Sequence, residues 1–367
     1  MIYIVLAFII TLSTSLVSLA EENKGAAGGF SYEVIQPENQ QNKDVGYYDL
    51  RVTPGQEQIV QMKLMNSSEK EIKISVNLNG AKTNGNGVIE YSPNELKRDE
   101  SLINDFVDIA TAPKEVTLAP KSEQLLDIVL KIPKTPFKGV ISGGIELQEV
   151  TSEYQKTASE KGMIVNKFAY LTGMLLSEED FKGINPDMVL NKVYPELQNF
   201  QNAVFVNFSN ISPVYTEDMT VNVQINKKGS KEVLYETKKS KMRMAPNSMI
   251  DFPVSLNGEK MVSGSYVANI VVTTKAGGKW AWTQEFKITD ADAEKYNKKD
   301  LSLVQSTGIN WLIIGAIVGV VLFVVGFIVV FLNLRKKKKE AKGRLEEKER
   351  KQKKNNKETV GGIEWQF

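Results

Sequence analysis

Trp311 to Leu332 is a run of 22 residues with no charge, no proline and no strongly polar side chain. At ~1.5 Å of rise per residue, a helix of that length crosses the ~30 Å hydrocarbon core of a bilayer. Arg335-Lys336-Lys337-Lys338-Lys339 follows at once, and basic residues beside a membrane helix stay on the cytoplasmic side. The sequence therefore predicts one transmembrane helix over 309–334 and a cytoplasmic basic tail over 335–367. Everything before Trp311 is then outside the cell. Trp311 stands where an aromatic anchor belongs at the outer interface, and Arg335, Lys336, Lys337, Lys338 and Lys339 mark the inner one.

The amino terminus fits an exported chain. Ile2 to Ile10 is apolar, and Ser18-Leu19-Ala20 before Glu21-Glu22 has the small residues of a signal-peptidase site. Residues 1–20 read as a signal peptide, although no Lys or Arg precedes the apolar run. The competing reading is a second membrane helix. Residues 21–29 include Gly25-Ala26-Ala27-Gly28-Gly29 and read as a flexible leader. The tail holds 13 basic and 6 acidic residues, which leaves 33 and 38 of the chain's 46 and 44 for the rest. A mildly acidic ectodomain thus precedes a strongly basic tail. The tail lacks interleaved aromatics and a folded module, so nucleic acid is not an expected partner.

The chain has no histidine and no cysteine. That excludes Ser-His triads, cysteine nucleophiles, HExxH sites and thiolate or imidazole zinc sites. Catalysis would need a carboxylate pair or a Ser/Lys dyad. Asp99-Glu100 and Glu178-Glu179-Asp180 are such acidic pairs, but each lies in a polar, loop-like stretch. No cofactor is expected. An exported chain of this size without disulfides suggests a bacterium with one membrane and a thick wall. No Leu-Pro-x-Thr-Gly precedes the span, so the anchor should stay in the membrane.

Between leader and span the pattern is β. Ile72, Ile74, Val76 and Leu78 alternate with polar residues, as do Leu126, Ile128, Leu130 and Ile132. Ile250, Phe252, Val254 and Leu256 repeat it, and Val221, Val223 and Ile225 give a shorter run. Period two means one buried face and one wet face. Turns fall at Thr53-Pro54-Gly55, Asn84-Gly85-Asn86-Gly87, Lys227-Lys228-Gly229 and Ala276-Gly277-Gly278. The expected class is all-β: two tandem Ig-like sandwiches, then the membrane helix and a disordered basic tail. Asn94 to Val107 is the one helix expected outside the membrane.

A repeat supports the two copies. Leu118-Ala119-Pro120-Lys121-Ser122 and Met244-Ala245-Pro246-Asn247-Ser248 each precede an alternating strand with the same parity, 126 positions apart. Gly139 and Gly264 follow the serines by 17 and 16, and Ile145 and Ile270 lie six residues further. By analogy with Gly264–Ile288, the strand from Gly139 to Gln148 should return through Gly162 to Leu176. The first sandwich then spans 30–177, the second 184–289, and 290–308 forms a stalk.

Phe30-Ser31-Tyr32-Glu33-Val34, Tyr48-Asp49-Leu50-Arg51-Val52-Thr53-Pro54-Gly55 and Asn86-Gly87-Val88-Ile89-Glu90-Tyr91 occur in order. Gly143-Gly144-Ile145, Asn166-Lys167-Phe168-Ala169-Tyr170, Met244 to Ser248 and Asp251-Phe252-Pro253-Val254 follow. This order resembles the WxL-interacting proteins of Gram-positive bacteria over nearly the whole chain. The resemblance implies a peptidoglycan-binding first domain, a host-binding second domain, and partnership with WxL-domain surface proteins. The family's usual boundary falls before Asn166, whereas the repeat assigns that strand to the first sandwich.

The loop from Asn79 to Asn94 is the candidate glycan contact. Asn84, Asn86 and Tyr91 offer amides and a ring suited to sugar hydroxyls and faces; the plain alternative is an Asn-Gly turn that needs positive φ. Neither that loop nor Asp290-Ala291-Asp292 has the spacing of a Ca²⁺ loop, so no metal is expected. Trp280 and Trp282 share one strand face, which reads as core packing or, if exposed, an adhesive patch. Asn66-Ser67-Ser68, Asn207-Phe208-Ser209 and Asn210-Ile211-Ser212 are sequons that matter only in a eukaryotic host. The expected function is a non-enzymatic, membrane-anchored surface scaffold. It binds peptidoglycan and WxL-domain or host extracellular proteins. The alternatives are a wall-glycan hydrolase with two carboxylates ~5–10 Å apart, and a single-pass receptor.

Overall fold

The computed structural model describes residues 29–150, 168–303 and 311–360. The expected signal peptide, nearly all of the leader, and Gly162 lie outside the described residues.

The first sandwich packs two sheets face to face. One contains β1 (Phe30–Ile35), β3 (Glu57–Asn66), β9 (Ser122–Lys131) and β7 (Ala110–Thr111), in the order β1-β3-β9-β7. The other has β2 (Tyr48–Arg51), β11 (Ala169–Ser177), β10 (Ile141–Glu149), β4 (Ile72–Gly80) and β8 (Glu115–Leu118), in the order β2-β11-β10-β4-β8. The pairs are antiparallel except β2 with β11. A small ribbon, β5 (Lys82–Thr83) and β6 (Ile89–Glu90), projects at one end. Alternation sets the faces. Ile72, Ile74 and Val76 point inward from β4, and Leu126, Ile128 and Leu130 meet them from β9. Each such side chain stabilises the fold by roughly 1.5–3 kcal/mol on burial.

The second sandwich uses the same plan. β12 (Met188–Gln198), β13 (Gln201–Asn210) and β16 (Ser248–Ser255) form one sheet. β15 (Val233–Met244), β14 (Thr216–Lys227), β17 (Gly264–Thr274) and β18 (Lys279–Ile288) form the other, in the order β15-β14-β17-β18. Val221, Val223 and Ile225 face Ile250, Phe252 and Val254 in its core. Trp280 and Trp282 are half-buried against that core, with Trp282 6.1 Å from Phe208 between ring centres.

Strand orders β8-β4-β10-β11 and β15-β14-β17-β18 are equivalent, as are β1-β3-β9 and β12-β13-β16. The repeated Ala-Pro-x-Ser segment makes the same turn twice. Lys121 and Asn247 both adopt positive φ, 50° and 48°. Ser122 and Ser248 each donate their hydroxyl to the alanine carbonyl three residues back, at 2.7 and 2.8 Å. Asn66 and Asn210 donate to those same carbonyls, at 2.9 and 3.0 Å. The sandwiches are stacked head to tail. The end of the first that carries Gly80, Ile132 and Ile141 meets the turn end of the second.

Strand β11 pairs with β10 and β2, both in the first sandwich. Three expectations change. Asn94 to Val107 is an irregular loop, and only α1 (Phe106–Ile109) is helical. The side chains of Asn94 and Asp99 accept from backbone N–H groups two residues on, at 3.0 and 2.9 Å, and such turns compete with helix. Residues 290–299 are not a stalk but helix α2 (Asp290–Lys299), started by a Thr289–Asp292 capping box. Its Ala293 and Tyr296 plug the open end of the second core. The two buried residues lie three apart on a charged segment, a pattern too sparse to show an amphipathic stripe.

The second unit is helix α3 (Trp311–Val360). Its stretch Gly315–Lys339 is long and apolar enough to cross a membrane. The basic tail is helical as far as Val360 rather than disordered. It contains no proline before 360, and Glu347 and Lys351 pair at i,i+4, 3.0 Å apart.

Candidate functional site

The junction between the sandwiches is buried and held by hydrogen bonds. Ala81, Ile89 and Ala245 form a small buried cluster, with Tyr91 and Tyr215 against it. The Val140 N–H donates to the Pro213 carbonyl at 2.8 Å, and the Arg243 N–H to the Gly87 carbonyl at 2.8 Å. The Ala245 N–H donates to the Thr83 hydroxyl at 3.0 Å, which also meets Ser248 at 2.7 Å. The Ser209 hydroxyl donates to the buried carboxylate of Asp99. Tyr215 joins Tyr91 and Ser142 through its hydroxyl. Burial there, reinforced by Tyr91, holds that phenol well above its ordinary pKa, so it stays protonated.

The three glycan candidates lie at this junction. Asn84 accepts from the Asn86 and Val88 N–H groups at 2.9 and 3.1 Å and donates to Glu90 at 2.5 Å, so it builds its own turn. Asn86 accepts from the Lys239 ammonium of the second sandwich at 2.8 Å. The Tyr91 hydroxyl lies 3.1 Å from that of Tyr215. Each thus has a partner within the chain, while Asn86 stays exposed. Gly87, at φ 70°, lies against Met242. At the far end of the molecule's sequence, Trp311 opens α3, Arg335 lies 4.7 Å above the Phe331 ring, and Lys336, Lys337, Lys338 and Lys339 are exposed on the same helix.

A cleft of about 590 Å³ opens beside the junction. Loops 101–104 and 133–141 of the first sandwich form most of its wall, and Ile211, Pro213 and Asn247 of the second close it. Ile103 stands in it 84% exposed, beside Leu102, Phe137 and three prolines. Arg98 fixes that loop by donating to the Leu102 and Ile103 carbonyls at 2.8 and 3.1 Å. Lys134 and Lys138 are its charged groups, and no carboxylate lines it. A second groove, of about 420 Å³, shares Pro136, Phe137 and Lys138 and adds Glu178 and Glu179. There Glu178 accepts the Phe137 N–H at 3.2 Å. Among the described residues no group of three or more acidic, His or Cys side chains could hold a metal. The cleft offers an apolar seat with a basic rim, which suits a bulky apolar side chain flanked by acid. Sequence reasoning passed over Ile103 and the 133–138 loop, although Pro133 and Pro136 signal an exposed, stiff connection.

Two sandwiches joined into one body, with exposed loops gathered at a shared cleft, define a surface-binding protein. The comparisons specify it. Residues 30–149 match the family described as "WxL Interacting Protein, peptidoglycan binding domain", and residues 159–298 match "WxL Interacting Protein, host binding domain". The chain belongs to the WxL-interacting protein family. The host-binding match begins before β11, whose ladder partners lie in the first sandwich. No curated protein sequence matches. Among solved structures, the Pseudomonas aeruginosa CupB2 chaperone is similar at 13% identity, over 64% of this chain and 95% of that one, with a TM-score of 0.25. The E. coli chaperone DraB is similar at 10% identity, over 71% and 98%, with a TM-score of 0.25. At these scores the likeness carries no argument, and the fold rests on its own strand order.

Proposed function

We propose that this protein is a non-enzymatic scaffold that tethers a surface complex to the cell envelope. The first sandwich holds peptidoglycan, and a WxL-domain or host protein seats an apolar side chain in the junction cleft. α3 spans the membrane, with the sandwiches outside and the basic helix from Arg335 inside. One observation carries the reading: Ile103 is held out by Arg98 into an apolar cleft bordered by Lys134 and Lys138 and free of carboxylates. The domain descriptions agree with it.

The test uses the full chain in nanodiscs with a purified WxL-domain protein, and in parallel with Gram-positive sacculi across a salt series. Ile103→Asp should weaken protein capture at least ~30-fold, the loss of a central apolar contact plus a buried charge, and leave the melting temperature unchanged. Sacculus binding should persist in that variant. Equal capture by the wild type and by Ile103→Asp would remove the cleft from the reading. Failure of the wild type to pellet with sacculi at high salt would remove the wall-binding role. Glycan contact through Asn84, Asn86 and Tyr91 predicts that Asn86→Ala lowers pelleting.

A further inference from the structure

The end of the second sandwich from which the chain departs carries an exposed apolar surface. Phe200 is 64% exposed at the tip of the β12–β13 hairpin, Val262 is 60% exposed, and Leu301 is 79% exposed. The Leu301 N–H donates to the Phe200 carbonyl at 2.9 Å, so these two are neighbours. Asn199 and Phe200 have φ of 49° and 61°. A two-residue turn of this kind favours Asn-Gly, because glycine alone takes positive φ without strain. Phenylalanine here accepts that strain while most of its surface stays exposed.

The surface is also held rigid. The Asp300 carboxylate accepts from the Asn202 N–H at 2.7 Å. The Asn202 amide donates to Asn297 at 2.8 Å, and Asn297 in turn exchanges two 2.8 Å hydrogen bonds with the Met261 backbone. Three loops are thereby fixed to one another with their apolar tips outward. Exposed lysines belong to the same end: Lys260 and Lys299 each lie two residues from an apolar tip, and Lys231 is on the β14–β15 turn. Glu232, Glu259 and Asp300 are the acidic neighbours in sequence; Glu259 is engaged by the Tyr235 hydroxyl at 3.0 Å, and Asp300 by the Asn202 N–H.

Chain length decides what can cover this surface. Leu303 and Trp311 are eight positions apart, and eight extended residues reach at most ~28 Å. The connection is therefore short enough for the sandwich base to reach a bilayer that α3 enters. We propose that Phe200, Val262 and Leu301 form a foot that enters the headgroup region of that bilayer, with Lys231, Lys260 and Lys299 against anionic lipid. Aromatic and aliphatic tips framed by lysine suit that layer. The proposal rests on reading α3 as a membrane span.

The chain has no cysteine, so single-cysteine variants of the full protein can be labelled cleanly. Val262→Cys, Leu301→Cys, Phe323→Cys and Glu69→Cys would each carry an NBD fluorophore in phosphatidylcholine vesicles with phosphatidylglycerol. Glu69 is the outer control, on the turn at the far end of the first sandwich. Labels at 262 and 301 should shift to the blue, and lipid nitroxides near the headgroups should quench them roughly threefold more than the label at 69. Adding Phe200→Gly should cut the shift at 301 without lowering the melting temperature, since it relieves the turn. Labels at 262 and 301 that behave like the one at 69 would overturn the foot while the label at 323 stays quenched by nitroxides placed deep in the acyl chains. Loss of quenching at 323 too would overturn the span reading and the foot with it. A shift that follows the protein-to-lipid ratio would mean that a second copy covers the surface, and would also overturn the proposal.

Discussion

The Ala-Pro-x-Ser turn occurs twice with one backbone and two uses. At 119–122 it faces water, and Lys121 reaches the Ser67 carbonyl at 2.7 Å and Glu69 at 3.1 Å. At 245–248 it is the heart of the junction, and Asn247 donates to the Ile211 carbonyl at 2.9 Å and to Ser101 at 3.2 Å. The hydrogen bonds that build the turn are the same in both copies, from Asn66 and Asn210 and from the two serines. What differs is the residue at x and the neighbour it meets. A local motif therefore determines the shape of a sandwich end, and the side chains it displays determine whether that end is surface or joint.

The largest expected effect separates joint from surface. Gly139 sits at φ 75°, and a Cβ there would collide with the Pro213 carbonyl. Gly139→Ala should cost about 4 kcal/mol and split calorimetric unfolding of the two sandwiches into two transitions. A single unshifted transition would show that the junction does not couple them. The other end of the second sandwich is closed by Tyr296 instead of by a domain. Tyr296→Ala should cost about 3 kcal/mol by urea denaturation without splitting the transition. Asn66→Ala and Asn210→Ala each remove a buried amide from the repeated turn, so each should cost about 2 kcal/mol. Unequal values would measure what the junction adds to an otherwise identical motif.

The smallest effect concerns the chain exit. Burial pushes the Asp300 carboxyl up, but hydrogen bonds from Ser302, Asn202 and Leu303 outweigh it and hold its pKa below the ordinary value. A depressed folded-state pKa contributes stability that is complete above the unfolded value of ~3.9 and is lost as pH falls through the lower folded one. Hydrogen-exchange protection of the Asn202 amide should therefore hold at pH 5 and decline below about pH 4. In Asp300→Asn the protection should be weaker and flat over the same range.

Most of the strand framework was legible because period two leaves a direct trace. Ile72 to Leu78, Leu126 to Ile132 and Ile250 to Leu256 all turned their apolar residues inward. The repeat was legible through Ala-Pro-x-Ser, yet its asparagines were hidden in view: Asn66-Ser67-Ser68 and Asn210-Ile211-Ser212 read as sequons, while their physical role is to bind the turn. Helix α2 escaped because two buried residues, Ala293 and Tyr296, suffice to plug a sandwich that already exists. The cleft escaped for a different reason. Ile103 and Pro133 to Lys138 are adjacent to Ile211 and Pro213 only once the sandwiches have stacked, and no period in one segment records that. Asn84, Asn86 and Tyr91 stood out by composition, which signals a polar turn equally well whether it faces a sugar or a second domain.

The lock at Asp300 has a mechanical meaning. If the sandwiches are held to the wall while the chain beyond Leu303 is held elsewhere, tension arrives first at Asp300 and its bonds to Asn202 and Ser302. Behind them stands a helix plug, not the free end of a strand. β18 remains zipped along β17 from Gly264–Ile288 to Thr273–Lys279, and a load applied there would have to pull Tyr296 out of the core before it could peel that ladder. The short helix thus acts as a strain relief, like the clamp where a cable enters its housing.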